Sequence, residues 1–225
     1  MRYDLLVFDL DGTLLDSFRD IHETVNELLF RYHLGPLDAS AVKTAVGKGV
    51  RHLLSLVFTA AGGSVTNIEA MMAEYSRLYE TRCLNNTRPF SGVLESLKRL
   101  EGMTLAVLSN KPERATRFML SSLGMDSYFS VIAGGDSFGQ MKPSAEPLLR
   151  ILELTGAAAS RSLMVGDTSY DIETGRNAGV ATCAVSFGFQ AANILKALNP
   201  DYLVNAFEEI VDIAHGSMRE TQSKR

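Results

Sequence analysis

Residues 3–11, YDLLVFDLD, run apolar without alternation until acidic residues end the stretch. A strand covered on both faces reads this way, and such strands usually belong to parallel sheets. The period then changes. Ile21, Val25, Leu28 and Tyr32 recur at helical spacing behind a Ser17-x-x-Asp20 start signal, and Gly35-Pro36 stops the run. A second helix is expected over 38–46, interrupted by Gly47-Lys48-Gly49. A third carries Leu53, Leu54, Val57 and Phe58 and ends at Gly62-Gly63. Thr66-x-x-Glu69 resembles a capping box ahead of Ile68, Met71, Met72, Tyr75 and Leu78. Residues 14–84 therefore read as helices without a convincing strand.

From residue 91 short apolar strands alternate with helices. Helix 91–101 precedes strand TLAVLS, helix 112–123 precedes SVIAG, helix 144–155 precedes SLMVGD, and helix 169–178, closed by Gly179, precedes VATCAVS. That alternation predicts βαβ units and a parallel sheet. The expected fold is α/β: a parallel sheet with helices packed on it, plus an all-α block inserted as a cap. The core would be discontinuous, 1–13 with 85–215, and 14–84 would be the inserted cap. Residues 216–225 lack apolar periodicity and are expected to fray.

Composition adds mainly exclusions. With 225 residues, 46% hydrophobic and 21% charged, the chain is long enough and apolar enough for a sizeable core. A net charge of −4 offers no basic surface for nucleic acid and no polybasic membrane patch. No stretch has the length of a spanning helix, and the N-terminus is no signal peptide. Cys83 and Cys183 lack a CxxC partner, so buried free thiols in a reducing cytoplasm are expected. His22, His33, His52 and His215 are scattered without zinc spacing, and Gly47-x-Gly49 is neither a P-loop nor a dinucleotide fingerprint.

The chemistry gathers at predicted strand ends, where open α/β sheets bind ligands. Strand one ends in Asp9-Leu10-Asp11-Gly12-Thr13, TLAVL in Ser109-Asn110 and SLMVG in Asp167, with Asp171 four residues on; Lys142 precedes Pro143 at another helix start. Several carboxylates in one place need a counter-charge, and oxygen donors with room for a phosphate suit Mg²⁺. Asp9 is the candidate nucleophile and a metal ligand. Asp11 is placed to protonate the leaving alkoxide and later to deprotonate water. Gly12, with Thr13 beside it, lets backbone amides approach a phosphate. Ser109, Asn110 and Lys142 would hold phosphoryl oxygens, and Asp167 completes the metal shell with Asp171 beside or behind it.

Together DLDGTL at 9–14, SN at 109–110, Lys142 in KPSAEP and GDTSYD at 166–171 resemble, in order, the four motifs of the haloacid dehalogenase superfamily. The resemblance runs to about residue 215. It implies a Rossmann-like core with helices on both faces, a helical cap after the first motif, Mg²⁺, phospho-aspartyl chemistry, and metal ligation at Asp11 through its backbone carbonyl.

Specificity is expected in the cap. Val46-Gly47-Lys48-Gly49-Val50-Arg51 resembles the VGxG segment of phosphoglycolate phosphatases, a group within that superfamily. So does Arg88-Pro89-Phe90-Ser91-Gly92-Val93, which departs from that group's tyrosine-proline-glycine form. Lys48 or Arg51 would pair with a substrate carboxylate, pointing to 2-phosphoglycolate or a similar small phosphorylated acid. A sugar phosphomutase, a pyrophosphatase and a nucleotidase remain as alternatives on the same fold, and the superfamily's dehalogenases lack the second aspartate. A non-enzymatic binding module would not need all four elements. The partner expected is a small phosphate substrate, with the chain a monomer or homodimer.

Overall fold

The computed structural model describes residues 2–217. The chain opens with β1 (Leu5–Phe8) and β2 (Leu15–Asp16), then runs through four helices: α1 (Phe18–Arg31), α2 (Ala39–Lys43), α3 (Val50–Ala60) and α4 (Ile68–Glu80). It returns through β3 (Arg88–Pro89) and alternates: α5 (Val93–Arg99), β4 (Thr104–Leu108), α6 (Glu113–Ser122), β5 (Val131–Ala133), α7 (Glu146–Thr155), β6 (Ser162–Gly166), α8 (Ser169–Asn177) and β7 (Ala181–Val185). The last elements are α9 (Ala192–Ala197), β8 (Tyr202–Val204) and α10 (Glu209–His215).

Six strands form one parallel sheet in the order β5-β4-β1-β6-β7-β8. The order reverses at β1, whose neighbours β4 and β6 come from opposite directions. That switch point is where a doubly wound sheet leaves a crevice beyond its strand ends. Strand β1 is apolar throughout because it packs on both sides. Leu6 and Phe8 join one core cluster with Leu97 of α5, Leu120 of α6 and Ile210 of α10. Leu5 and Val7 join another with Leu148, Ile151 and Leu152 of α7. Alternate side chains thus point to opposite faces.

Helices α1, α3 and α4 pack on one another through Val25, Leu28, Leu54, Val57, Met71 and Tyr75. They hang from a two-residue antiparallel ribbon, Leu15 opposite Pro89 and Asp16 opposite Arg88. This ribbon was not expected within 14–84, since two residues are too short to leave an alternation. Asp20 pins the same crossing: its carboxylate accepts from the backbone N–H of Asn86 and Thr87, the Asn86 amide and the Thr87 hydroxyl, at 2.7–3.0 Å.

Helix starts differ from the expected signals in instructive ways. Ser17 sits at the α1 N-cap but donates to Asp11 instead of capping. The cap of α4 is Asn67, which accepts from Ala70 N–H at 3.2 Å, not Thr66. Helix α2 stops at Lys43, short of 46, so that Val46 and Gly47 turn inward. No element is expected beyond 186, yet α9, β8 and α10 form there, and β8 completes the sheet edge. Of the expected tail 216–225, residues 218–225 lie outside the described residues. Gly216 and Ser217 close α10, with Ser217 N–H donating to Asp212 at 2.8 Å. Cys83 and Cys183 are buried and free, and no described helix is long and apolar enough to cross a membrane.

Candidate active site

Asp9 follows the last residue of β1, and its N–H donates to Val165 at 2.9 Å, extending the ladder to β6. Its hydrogen bonds converge on Oδ1, which accepts from Leu10 N–H at 2.7 Å and from Lys142 Nζ at 2.8 Å. Lys142 Nζ also reaches Asp171 Oδ1 at 2.7 Å. Asp171 Oδ2 accepts from the N–H and hydroxyl of Thr168 at 3.0 and 2.7 Å, closing a capping box at the start of α8. Both oxygens of Asp171 are therefore committed to positioning.

Asp167 lies directly beyond β6, fully buried. Its Oδ1 accepts from the Thr13 hydroxyl at 3.0 Å and its Oδ2 from Phe189 N–H at 2.7 Å. The buried Thr13 hydroxyl is thus turned into the protein to hold Asp167. Gly12 lies against the same carboxylate. At φ +87° it occupies left-handed backbone, and a Cβ there would sit 2.2 Å from Asp167 Oδ2.

Carboxylate oxygens of Asp9, Asp167 and Asp171 lie within 4.8 Å of one another, all buried. Burial, ahead of a partial offset from Lys142, pushes Asp9 up to about 7. Burial first, then the charges of Asp9 and Asp171, carries Asp167 well above the ordinary carboxylate range. Burial alone would pull the Lys142 ammonium down; Asp171 and Asp9 more than offset it, and it is raised. Three buried carboxylates facing one buried ammonium leave two negative charges to be balanced, which fits a divalent cation. The donors are all oxygens, as a hard cation requires.

Ser109 and Asn110 follow β4, and both line a cavity of about 260 Å³ with Asp9, Asp11 and Thr168. Asn110 is a bracket: Nδ2 donates to the carbonyls of Gly47 and Lys142, and Oδ1 accepts from Lys142 N–H, each at 2.9 Å. The helical block supplies Ile21, Val46, Gly47, Val50, Leu53, Tyr75 and Tyr79 to the same cavity. Lys48 and Arg51 do not join them. Both are exposed and outside the lining, and Arg51 pairs with Glu69 on α4.

Asp11 has its own network. Oδ1 accepts from the Ser17 hydroxyl at 2.5 Å, and Oδ2 lies 2.9 Å from Lys111 Nζ. Lys111 Nζ donates to the Tyr79 hydroxyl at 2.9 Å and lies 4.3 Å from that ring's centre. Lys111 and Tyr79 were not singled out in the sequence. A signal existed, because Lys111 directly follows Asn110 at a strand end and Tyr79 falls one helical turn after Tyr75.

The model of the haloacid dehalogenase-like hydrolases matches residues 6–185. A phosphoglycolate phosphatase of Mesorhizobium japonicum is 32% identical, covering 97% of this chain and 98% of that one. One from Aquifex aeolicus is 34% identical over 93% and 95%. Among solved structures, a predicted phosphoglycolate phosphatase of Haemophilus somnus superposes with a TM-score of 0.88 at 28% identity, over 95% of this chain and 98% of that one. With a family match across most of its length and relatives above 30% identity end to end, this chain belongs to the haloacid dehalogenase-like hydrolases.

Proposed function

We propose that the chain is a Mg²⁺-dependent phosphatase that transfers the phosphoryl group of a small monoester to Asp9 and then to water. The observation that carries this reading is the set of three buried carboxylates balanced by a single buried ammonium at the switch point of the sheet. Asp9 and Asp167, with the backbone carbonyl of Asp11, would hold the ion, while Asp171 keeps Lys142 in place. When bound, Mg²⁺ would keep the carboxylates ionised and draw charge from the phosphoryl oxygens.

The remaining work falls to the protein. Oδ2 of Asp9, outside the hydrogen bonds gathered on Oδ1, is the attacking atom. Lys142 and the Ser109 hydroxyl stabilise charge on the phosphoryl oxygens. Asp11 gives a proton to the leaving oxygen and later takes one from the water that cleaves the acyl phosphate. Residues 14–84 act as a cap over a core of 1–13 and 85–215, because the cavity takes its walls from both. Apolar Ile21, Val46, Val50 and Leu53 exclude water during transfer.

The substrate proposed is 2-phosphoglycolate or a similar small phosphorylated acid. Supporting it are the names of the relatives, which this chain matches over nearly their whole length. Phosphate release should be measured across 2-phosphoglycolate, pyrophosphate, nucleotides and sugar phosphates with and without Mg²⁺. Turnover should require the ion and vanish in Asp9→Asn. Acid-quenched enzyme should carry phosphate on the Asp9 peptide; hydrolysis that survives in Asp9→Asn would remove the nucleophile assignment.

A further inference from the structure

The cavity contains a cation that phosphoryl transfer leaves unused. Lys142 is engaged by Asp9 and Asp171. Among the described residues, the cationic side chains lining the cavity are Lys111 and Arg114. Arg114 is exposed and paired with Glu80 at 3.2 Å. Lys111 is different. Its side chain is only 9% exposed, clamped between Asp11 Oδ2 and the Tyr79 hydroxyl, each 2.9 Å from Nζ. Two of its three N–H donors are thereby placed and one remains.

The position beside Asp11 has a steric consequence, which rests on the phosphatase reading above. If Asp11 protonates the leaving oxygen, that oxygen lies within hydrogen-bond reach of the Asp11 carboxylate. Lys111 touches the same carboxylate. In the phosphate ester of an α-hydroxy acid, a single carbon separates the ester oxygen from the carboxylate carbon. Such a carboxylate cannot leave the neighbourhood of Asp11, where the Lys111 ammonium is the cation able to meet it. We propose that Lys111 is the specificity-determining residue: its ammonium pairs with a carboxylate placed α to the ester oxygen and so selects phosphate esters of short α-hydroxy acids. Tyr79, on α4, holds the ammonium in line, so the helical block contributes to selection through this phenol and not through Lys48 or Arg51. A carboxylate further along the substrate, as in 3-phosphoglycerate, would overshoot Lys111.

The test compares 2-phosphoglycolate with ethyl phosphate, which has a methyl group where the acid has its carboxylate. In the wild-type enzyme with Mg²⁺, kcat/KM should favour 2-phosphoglycolate by about tenfold or more, the worth of one charge-assisted contact. Lys111→Met should collapse that ratio, chiefly through KM for the acid, and Lys111→Arg should restore part of it. Lys48→Ala and Arg51→Ala should leave the ratio unchanged. Should turnover of Lys111→Met be too low to measure, calorimetry reads the same ratio as binding of the two esters to Asp9→Asn with and without Lys111→Met.

A merely structural lysine would depress both substrates together and leave the ratio intact, which overturns the proposal. So would a ratio that follows Lys48 or Arg51, or a wild type that hydrolyses both esters without preference. A wild type that hydrolyses no ester at all with Mg²⁺ would instead sink the phosphatase reading itself.

Discussion

The side-chain amide of Asn110 donates to the carbonyl of Gly47 at 2.9 Å, tying the end of a core strand to the loop between α2 and α3. The same amide brackets both backbone polar groups of Lys142. One residue therefore sets two distances: the height of the loop above the cavity, and the reach of Lys142 toward Asp9. Asn110→Ala should leave buried backbone groups unpaired and cost about 2 kcal/mol of stability, read as a lower urea midpoint at unchanged slope. Its kcat/KM should fall on the order of 10²-fold as Lys142 loses its register. A variant unchanged in both would show the bracket to be dispensable.

Gly12 and Asp167 make a second close relationship. At φ +87° any side chain at position 12 is strained, and its Cβ would collide with the Asp167 carboxylate at 2.2 Å. Gly12→Ala must push Asp167 off its bonds to Thr13 and Phe189. The expected result is a loss of kcat on the order of 10²-fold, with weaker Mg²⁺ binding in a metal titration. Normal kcat at saturating Mg²⁺ would mean that Asp167 can move without consequence.

Gly12 and Asp167 also show how far the sequence could be read. The strand-end aspartates, Lys142 and the alternation of strands with helices follow from patterns several residues long, and those patterns are local. Partnerships are not. Thr13 stands beside Gly12 in the first motif, and its hydroxyl meets a residue 154 positions away. Lys48 and Arg51 carry charge beside a glycine break, but the turn that brings Gly47 and Gly49 to the cavity leaves both cations exposed outside it. Ser17 looked like a helix cap and serves Asp11 instead, since the ribbon with β3 brings it back over the first motif. Lys111 and Tyr79 meet only after the four helices fold over the sheet.

Asp20 offers a test of that ribbon. It is buried at the start of α1, where burial alone would raise its pKa. The hydrogen bonds from Asn86 and Thr87 outweigh burial, so it is held below the ordinary carboxylate range. Asp20→Ala would strand buried donors on the returning segment and should cost roughly 3 kcal/mol, measured by chemical denaturation. Asp20→Asn should cost less, because it keeps an acceptor. Because the folded pKa is depressed, this contribution is present above the unfolded value and is lost as pH falls through the folded one. An Asp20→Ala midpoint equal to that of the wild type would show that the crossing is held by the ribbon alone.

In the metal-free protein the site should make stability fall with rising pH. Asp9, raised to about 7 from 3.8, and Asp167, raised well above the ordinary carboxylate range, bind protons more tightly folded than unfolded. Such groups contribute stability that is complete below their unfolded pKa and lost as pH rises through the folded one. Asp20 is shifted the other way, so its losses fall at acid pH, outside this window. Without divalent cations, Tm should therefore decline between about pH 5 and about pH 8, and Asp9→Asn should flatten the decline and raise Tm at the alkaline end. Mg²⁺ competes with protons for the same oxygens, so adding it should raise Tm more at about pH 8 than at about pH 5. A metal-free Tm that holds level or climbs across that range would mean the buried carboxylates are already balanced without a cation.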